Sequence, residues 1–252
     1  MTPFKLFQNS PMSVSELRAE LVLHGWSCVP LEPGDVTGGS MQDIVRQLGT
    51  PIAQDAAGTM VWQVRQHTRN ADPGPQALGL VPRSWTLDEF PFHTDGSFED
   101  PQPTHVALYA VRADRMGGGQ TQLKSVAEIL SHLSNESRHT LLTSRYRFRV
   151  PPEFVKDAAD RCLPIVYGDG LMRWRHEQID TSEATEAQRA ALAELVDAVE
   201  VVQPICLNLH DGDLLVVDNG RFLHARTTIL DAERHLLRMR FAMSGDGARR
   251  RA

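Results

Sequence analysis

The segment "PICLNLHDGDLLVVDNGRFLHARTTI" (residues 204–229) is followed after four residues by "RHLLRMRFAM" (residues 234–243). Both segments are apolar or alternating, and the first is interrupted by Asp211-Gly212 and Asn219-Gly220, which are dipeptides typical of tight turns. The pattern predicts consecutive β-strands without intervening helices, so a doubly wound parallel sheet is disfavoured. We therefore expect an α+β, mainly β fold: a double-stranded β-helix (jelly-roll) core with flanking helices.

Helical patterns occupy the N-terminal region and the inserts. Ser13 followed by Glu16 fits a capping box for a helix from about Val14 to Gly25, and residues 39–51 predict a second short helix. The clearest helical periodicity covers residues 181–202. The residues predicted to share its apolar face are Ala184, Ala187, Ala191, Leu195 and Val199.

The length of 252 residues suits one domain with a sizeable core. We expect residues 1–88 to supply supporting helices and strands, 89–243 to form the motif-bearing jelly roll with a helical insert, and 244–252 to be a basic tail.

Charge and cysteine usage narrow the classes of partner. The net charge of −6 provides no footprint for nucleic acid or for an anionic membrane. The three cysteines are isolated, which predicts no disulfide framework and a reducing cytoplasm. We find no signal-peptide pattern and no apolar run of membrane-spanning length. The expected partner is a small-molecule substrate.

The stretch "EFPFHTDGSFEDP" (residues 89–101) contains His93 and Asp95 two positions apart. On an extended strand both side chains leave the same face. They could hold a metal, form an acid–base pair, or simply occupy a strand edge. In a jelly roll, strands distant in sequence become neighbours, so His224 could face this pair.

Two imidazoles and one carboxylate on one face match the ligand set of non-haem Fe(II) sites, which leave coordination positions open. Alternatively, His224 is an ordinary sheet histidine, one of ten histidines in the chain. The same three residues would also suit a zinc-dependent hydrolase, although zinc hydrolysis usually needs an additional carboxylate base.

The strand "RHLLRMRF" (residues 234–241) places arginines on one face and His235, Leu237 and Met239 on the other. If the arginine face points outward, it is a solvated surface. If it points inward, the arginines line a cavity and require an anionic ligand, because buried cations are costly without a partner. The spacing alone leaves both alternatives open.

Four motifs in order decide the interpretation: "FHTDG" (92–96), "GGGQT" (117–121), "GDLLVVDNGRFLHART" (212–227) and "RHLLR" (234–238). This ordered set resembles the TauD and clavaminate synthase-like group of Fe(II)/2-oxoglutarate-dependent oxygenases over residues 89–243. The resemblance implies the following roles: His93, Asp95 and His224 as iron ligands, Thr121 and Arg234 as residues that bind the distal carboxylate of 2-oxoglutarate, Arg238 as a substrate-binding residue, and Arg226 as a weaker candidate for either carboxylate.

The resemblance also implies a reaction. With Fe(II), 2-oxoglutarate and O2, such a protein oxidises an unactivated C–H bond of a small carboxylate-bearing substrate, such as an amino acid, in biosynthesis. Hydroxylation, desaturation and ring formation all remain open. The presence of Asp95 argues against halogenation, because related halogenases replace this carboxylate with a small residue.

Further interpretations concern the surroundings of the site. Glu99 and Asp100 could receive a substrate amine or be solvated loop acids. Residues 68–91 and 151–164 interrupt regular structure and are candidate lids. A non-catalytic jelly-roll binding protein remains an alternative.

Overall fold

The computed structural model describes residues 12–66, 82–151, 154 and 160–245. These residues form a mainly β structure with few helices, which confirms the predicted class. The helices are α1 (Val14–His24), α2 (Gly39–Leu48), α3 (Val126–Ser131), α4 (Asn135–Thr143) and α5 (Glu186–Val201). The strands are β1 (Trp26–Pro30), β2 (Gly49–Ile52), β3 (Trp62–Arg65), β4 (Phe90–His93), β5 (His105–Arg112), β6 (Thr121–Ser125), β7 (Tyr146–Arg149), β8 (Asp160–Leu163), β9 (Val166–Tyr167), β10 (Leu171–Met172), β11 (Ile179–Asp180), β12 (Ile205–Leu207), β13 (Asp213–Asp218), β14 (Phe222–Arg226) and β15 (His235–Met243).

The larger sheet joins both ends of the chain. Its strand order is β1-β13-β5-β15-β2, and β3 also pairs with β15. Every pair in this sheet is antiparallel. The N-terminal strands are thus integral members of the sheet that carries the arginines of β15.

The smaller sheet brings distant motifs together. Its order is β12-β6-β14-β4, so β14 lies between β4 and β6. In the antiparallel register, His224 is opposite His93 on one side, and Arg226 is opposite Thr121 on the other. Residues more than a hundred positions apart in the sequence thereby become direct neighbours.

Apolar side chains from the two sheets form a shared cluster. Leu123 and Leu207 from the smaller sheet pack with Leu215 and Val217 from the larger one. Fully burying one leucine contributes about 1.5–3 kcal/mol relative to exposure. This cluster therefore holds the two sheets together.

The helices lie outside this shared cluster. Helices α1 and α2 contribute Leu17, Leu21 and Val45 to a core against the larger sheet. Leu195 of α5 and Leu141 of α4 pack in a second core with the three-stranded sheet β11-β7-β8. None of the helices in the described parts of the chain is long and apolar enough to cross a membrane.

Local sequence signals explain most of the element ends. The capping box of Ser13 and Glu16 is present, and α1 ends at Gly25, whose φ of 80° is left-handed. A Cβ at Gly25 would lie 2.6 Å from the Phe222 ring, so a side chain is excluded by sterics as well. The predicted turns at 211–212 and 219–220 are also confirmed.

The predicted start of the long C-terminal helix was wrong. A capping box between Thr185 and Gln188 starts α5 at Glu186, so Ala184 precedes the helix and Ala187 is exposed. The buried face is instead formed by Ala191, Leu192, Leu195, Ala198 and Val199. The basic tail lies outside the described residues except for 244 and 245.

Candidate active site

His93, Asp95 and His224 converge at one point, as the sequence predicted. One ligand atom from each lies within 4.8 Å of the others. The Nε2 atoms of His93 and His224 are 3.7 Å and 3.9 Å from Oδ1 of Asp95. All three side chains are buried, so the cluster is shielded from bulk water.

The orientation of His93 suits metal ligation. Its Nδ1 lies 2.8 Å from the carbonyl oxygen of Pro91, which favours a proton on Nδ1 and leaves the Nε2 lone pair facing Asp95. Burial lowers the pKa of His93 to about 4, and the neighbouring His224 acts in the same direction. The imidazole is therefore neutral at pH 7, as a ligand must be.

The carboxylate of Asp95 is kept ionised despite its burial. Burial by itself raises its pKa, but the positive charge of Arg238 holds that pKa well below its ordinary value. Nη1 of Arg238 donates to Oδ1 at 3.1 Å. A carboxylate in this state has the charge that a divalent cation requires.

Asn219, predicted only as a turn residue, fixes the backbone of Asp95. Its Oδ1 accepts from the Asp95 N–H at 2.8 Å, and its Nδ2 donates to the carbonyl oxygens of Asp95 and Pro103, both at 2.9 Å. The side chain is fully buried. It joins the turn between β13 and β14 to the loop after β4.

The donor set fits ferrous iron. It combines two neutral imidazole nitrogens with one carboxylate, which is the facial arrangement of non-haem Fe(II) proteins. Oδ2 of Asp95 and Nδ1 of His224 are buried atoms without a hydrogen-bond partner among the described residues. An orphaned carboxylate oxygen beside two imidazoles is accounted for by a bound cation.

The predicted co-substrate residues lie together in the smaller sheet and the adjoining turn. Thr121 is buried at the start of β6, opposite Arg226. Arg234 is buried, and its Nη2 donates to the carbonyl oxygen of Gly119 at 3.3 Å. Gly119 has a φ of 60°, and a Cβ there would lie 2.7 Å from Nε of Arg234. The "GGG" turn therefore permits close packing against this arginine.

Arg226 and Arg234 form a cationic cluster that lacks a bound carboxylate among the described residues. Arg226 donates through Nη2 to the carbonyl oxygens of Thr86 and Asp88. Nε of Arg226 and Nη1 of Arg234 are buried and have no hydrogen-bond partner in the described part of the chain. Burial lowers the pKa of each guanidinium to about 10. Such a cluster favours an anion, because like charges without a counter-ion are costly in a buried site.

The arginine face of β15 points inward and is not a solvated surface. The spacing of the arginines alone had left both arrangements open. Arg238 contacts Asp95, and Arg240 donates to Glu99 at 2.6 Å. Leu237 and Met239 on the opposite face pack against the N-terminal helices. Both faces of the strand are buried, which is why the alternation alone was ambiguous.

A small, open cavity adjoins the metal cluster. Asp95 is the only carboxylate among its described lining residues, which also include four arginines. The full lining is Pro82, Arg83, Ser84, Phe90, Asp95, Gly96, Phe98, Phe154, Arg175, Arg238 and Arg240. The cavity is thus cationic with aromatic walls.

Other interpretations from the sequence are placed as follows. Glu99 pairs with Arg240, and Asp100 is exposed; neither lines the cavity. Most of the two candidate lids lies outside the described residues, but Pro82, Arg83, Ser84, Phe90 and Phe154 from these segments border the cavity.

Residues 33–240 match the family described as taurine catabolism dioxygenase TauD, TfdA family. The match extends over more than half of the chain, and the protein belongs to this family. Clavaminate synthase 2 of Streptomyces clavuligerus is 30% identical over 168 residues, which cover 64% of this chain and 50% of that protein. The chain therefore matches about half the length of this relative.

Two solved structures share the fold. An asparagine oxygenase in complex with Fe(II), 3-hydroxyasparagine and succinate has a TM-score of 0.71 and 20% identity, covering 92% of this chain and 78% of its own. The non-heme iron oxygenase OrfP in complex with Fe and alpha-ketoglutaric acid has a TM-score of 0.71 and 19% identity, covering 91% and 79%. At these identities the likeness concerns the fold.

Proposed function

We propose that this protein is an Fe(II)- and 2-oxoglutarate-dependent oxygenase that hydroxylates an unactivated C–H bond of a small carboxylate-bearing substrate, an amino acid or a derivative, in biosynthesis. The observation that carries the proposal is the pairing of two features. A buried cluster of two histidines and one aspartate lies in the same site as a buried arginine cluster that lacks a carboxylate among the described residues.

In this proposal His93, Asp95 and His224 hold the iron. The bound iron, together with O2 and 2-oxoglutarate, supplies the oxidising chemistry. The protein supplies the ligand geometry, with Pro91 orienting one imidazole and Asn219 fixing the backbone of the aspartate. Burial of the three ligands excludes bulk water from the reacting centre.

Thr121 and Arg234 bind the distal carboxylate of 2-oxoglutarate in this proposal. Nη1 of Arg234 is buried and has no partner among the described residues, so a carboxylate would satisfy it. Arg226 adds positive charge to the same cluster. The anion would remove the repulsion between the two guanidinium groups.

Arg238 belongs to the substrate pocket, since it lines the cavity beside Asp95. The known relatives support a substrate of amino-acid type: the structural neighbours were solved with 3-hydroxyasparagine and with (3S)-hydroxy-L-Arg. The positive charges around the cavity support a carboxylate on the substrate.

The topology supports a double-stranded β-helix as the finer description of the core, with the metal cluster between the larger and the smaller sheet. Pairing of β1, β2 and β3 with C-terminal strands supports one domain over residues 1–252. A cytoplasmic location stays a prediction, supported by three free cysteines.

A zinc-dependent hydrolase is disfavoured by the cavity. It would need a carboxylate to activate water, and Asp95, a proposed ligand, is the only carboxylate among the described lining residues. The experiment compares the purified protein loaded with Fe(II) or with Zn(II) and measures succinate formed from 2-oxoglutarate in air. We expect succinate from the Fe(II)-loaded protein and none from the Zn(II)-loaded protein. The Fe(II)-loaded protein should also form succinate slowly when no substrate is added. Absence of succinate under every substrate tested contradicts the proposal.

A further inference from the structure

The arginines that line the cavity differ in how many of their guanidinium nitrogens donate hydrogen bonds to the protein. Arg238 donates through Nη1 to Asp95 and through Nη2 to Gln54, at 3.1 Å and 2.9 Å. Arg240 donates through Nη1 to Glu99 and through Nη2 to the carbonyl oxygen of Ala53. Both terminal nitrogens of these two arginines are therefore already engaged by the protein.

Arg175 is different. It donates through Nε to Glu177 at 2.8 Å, and its Nη1 and Nη2 have no hydrogen-bond partner among the described residues. Two parallel N–H groups on one planar fork are the arrangement that binds a carboxylate. Arg83, exposed at the rim, adds a further positive charge to the cavity.

The position of Arg175 next to the metal cluster is fixed by aromatic stacking. Its guanidinium lies 5.1 Å from the centre of the Phe90 ring. Phe90 in turn stacks on His93, with ring centres 4.0 Å apart and planes inclined by 12°. Phe90 therefore lies between Arg175 and the proposed iron ligand His93, and a group bound to Arg175 would be close to the metal cluster.

The carboxylates that the structure describes in and beside the cavity are each paired with an arginine. Glu99 is bound to Arg240, Glu177 to Arg175, and Asp95 to the metal cluster and Arg238. Among the described lining residues none is left to receive an ammonium group. A free amino acid would bring an ammonium group to a lining in which no described carboxylate is free to pair with it, and an unpaired charge in such a site is costly.

We infer that Arg175 binds the carboxylate of a substrate that carries no free ammonium group, such as an acid without an amine or an amino acid whose nitrogen is acylated. The inference rests on the proposed function and narrows its substrate class. It also assigns the primary anion contact to a residue outside the sequence motifs, while Arg238 positions Asp95.

The experiment uses matched pairs of probes: free L-amino acids and their N-acetyl derivatives. Each probe is added to the Fe(II)-loaded protein with 2-oxoglutarate in air, and succinate is measured above the rate without substrate. We expect stimulation by members of the N-acetyl series at least about tenfold greater than by their free partners, because an acylated nitrogen carries no charge that needs a carboxylate partner. Greater stimulation by the free series, or stimulation by neither, overturns the inference.

A second measurement tests Arg175 itself. With the best probe, Arg175→Met should raise KM on the order of tenfold to a hundredfold through loss of a charge-assisted pair, and Arg175→Lys should recover part of it. The matched control is Arg138→Met, an exposed helix arginine bound to Asn135. An unchanged KM in Arg175→Met contradicts the assigned contact.

The slow succinate formation without substrate separates this inference from the proposed function. If it persists in Arg175→Met while KM rises, the iron and 2-oxoglutarate sites are intact and the substrate contact alone is lost. If the wild-type protein forms no succinate under any condition, the proposed function fails and the inference fails with it. Circular dichroism of both variants checks that they are folded.

Discussion

Two pairs of buried arginines in the active site differ in the groups that accept their hydrogen bonds. Within the described parts of the chain, Arg226 and Arg234 donate only to backbone carbonyl oxygens, whereas Arg238 and Arg240 each donate to a carboxylate of the protein. In the proposed function the first pair therefore binds an anion from solution, while each arginine of the second pair is already paired with a carboxylate of the protein. The comparison teaches that arginine burial alone does not identify an anion site. The state of its partners does.

The electrostatics of the first pair agree with this view. Burial lowers the pKa of Arg234 to about 10, and the charge of Arg226 acts in the same direction. Burial also lowers the pKa of Arg238. A carboxylate opposes this lowering of the pKa in both arginines: Asp114 for Arg234, and Asp95 for Arg238. Asp95 contacts Arg238 directly at 3.1 Å, whereas Arg234 has no ion pair with a carboxylate among the described residues. A dicarboxylate would thus gain more from the first pair than from the second.

The largest expected effect comes from removing one arginine of each pair. Arg234→Met should weaken binding of 2-oxoglutarate by about 10-fold to 100-fold, because a hydrogen-bonded charge pair contributes about 1.5–3 kcal/mol. Arg238→Met should change that affinity by less than about threefold, since its partners are Asp95 and Gln54. Anaerobic calorimetry with Fe(II)-loaded protein measures both. An equal loss of 2-oxoglutarate affinity in Arg234→Met and Arg238→Met would contradict the proposed difference between the two arginine pairs.

A second prediction concerns the glycine that lets Arg234 pack closely. Gly119→Ala puts a Cβ 2.7 Å from Nε of Arg234, so we expect 2-oxoglutarate to bind several-fold more weakly, about 1 kcal/mol. The control is Gly117→Ala. Gly117 has a comparable positive φ, but a Cβ there would have no atom within 4 Å.

Both alanines carry the backbone cost of a left-handed residue, about 1–2 kcal/mol of stability. The change in ligand affinity should therefore separate the two variants even where their thermal stabilities are similar. Loss of affinity in Gly117→Ala as large as in Gly119→Ala would mean that loop strain, and not the contact with Arg234, controls binding.

A third prediction addresses the residue that joins the metal cluster to the turn between β13 and β14. Asn219→Ala removes three hydrogen bonds and leaves a buried N–H of Asp95 without its acceptor. We expect a loss of about 1–3 kcal/mol in the free energy of unfolding, measured by urea denaturation of the metal-free protein. Asn208→Ala, at an exposed asparagine, should stay within about 0.5 kcal/mol. Similar losses in both variants would contradict a special role for Asn219.

Sequence patterns predicted the three residues that we propose as ligands, but not their surroundings. The ordered motifs single out His93, Asp95 and His224, but the strand expected to carry both His93 and Asp95 ends at His93, and Asp95 lies in the turn that follows. The register that places His224 opposite His93 depends on contacts between distant strands, which local patterns do not encode. Asn219 was visible as a turn residue, but the role of its side chain requires knowing that Asp95 lies beside it.

The arginines show the same limit. Alternation along β15 is symmetric, so it could not decide which face is internal until Leu237 and Met239 were seen to pack against the N-terminal helices. Arg175 lies in "RWRHEQ" (residues 173–178), which has no periodic or motif signal. The proposal for Arg175 rests on its position over Phe90 and on terminal nitrogens that have no partner among the residues the structure describes. The start of α5 was misplaced because a strong apolar repeat hid the capping box at Thr185.

The central claim is that His93, Asp95 and His224 hold ferrous iron beside a bound 2-oxoglutarate. Its most direct test is anaerobic addition of Fe(II) and then 2-oxoglutarate, followed by visible absorption spectroscopy. We predict a weak charge-transfer band in the wild-type protein and in His139→Ala, an exposed histidine on α4, and its loss in His224→Ala. No band in the wild-type protein, or an undiminished band in His224→Ala, would contradict the claim.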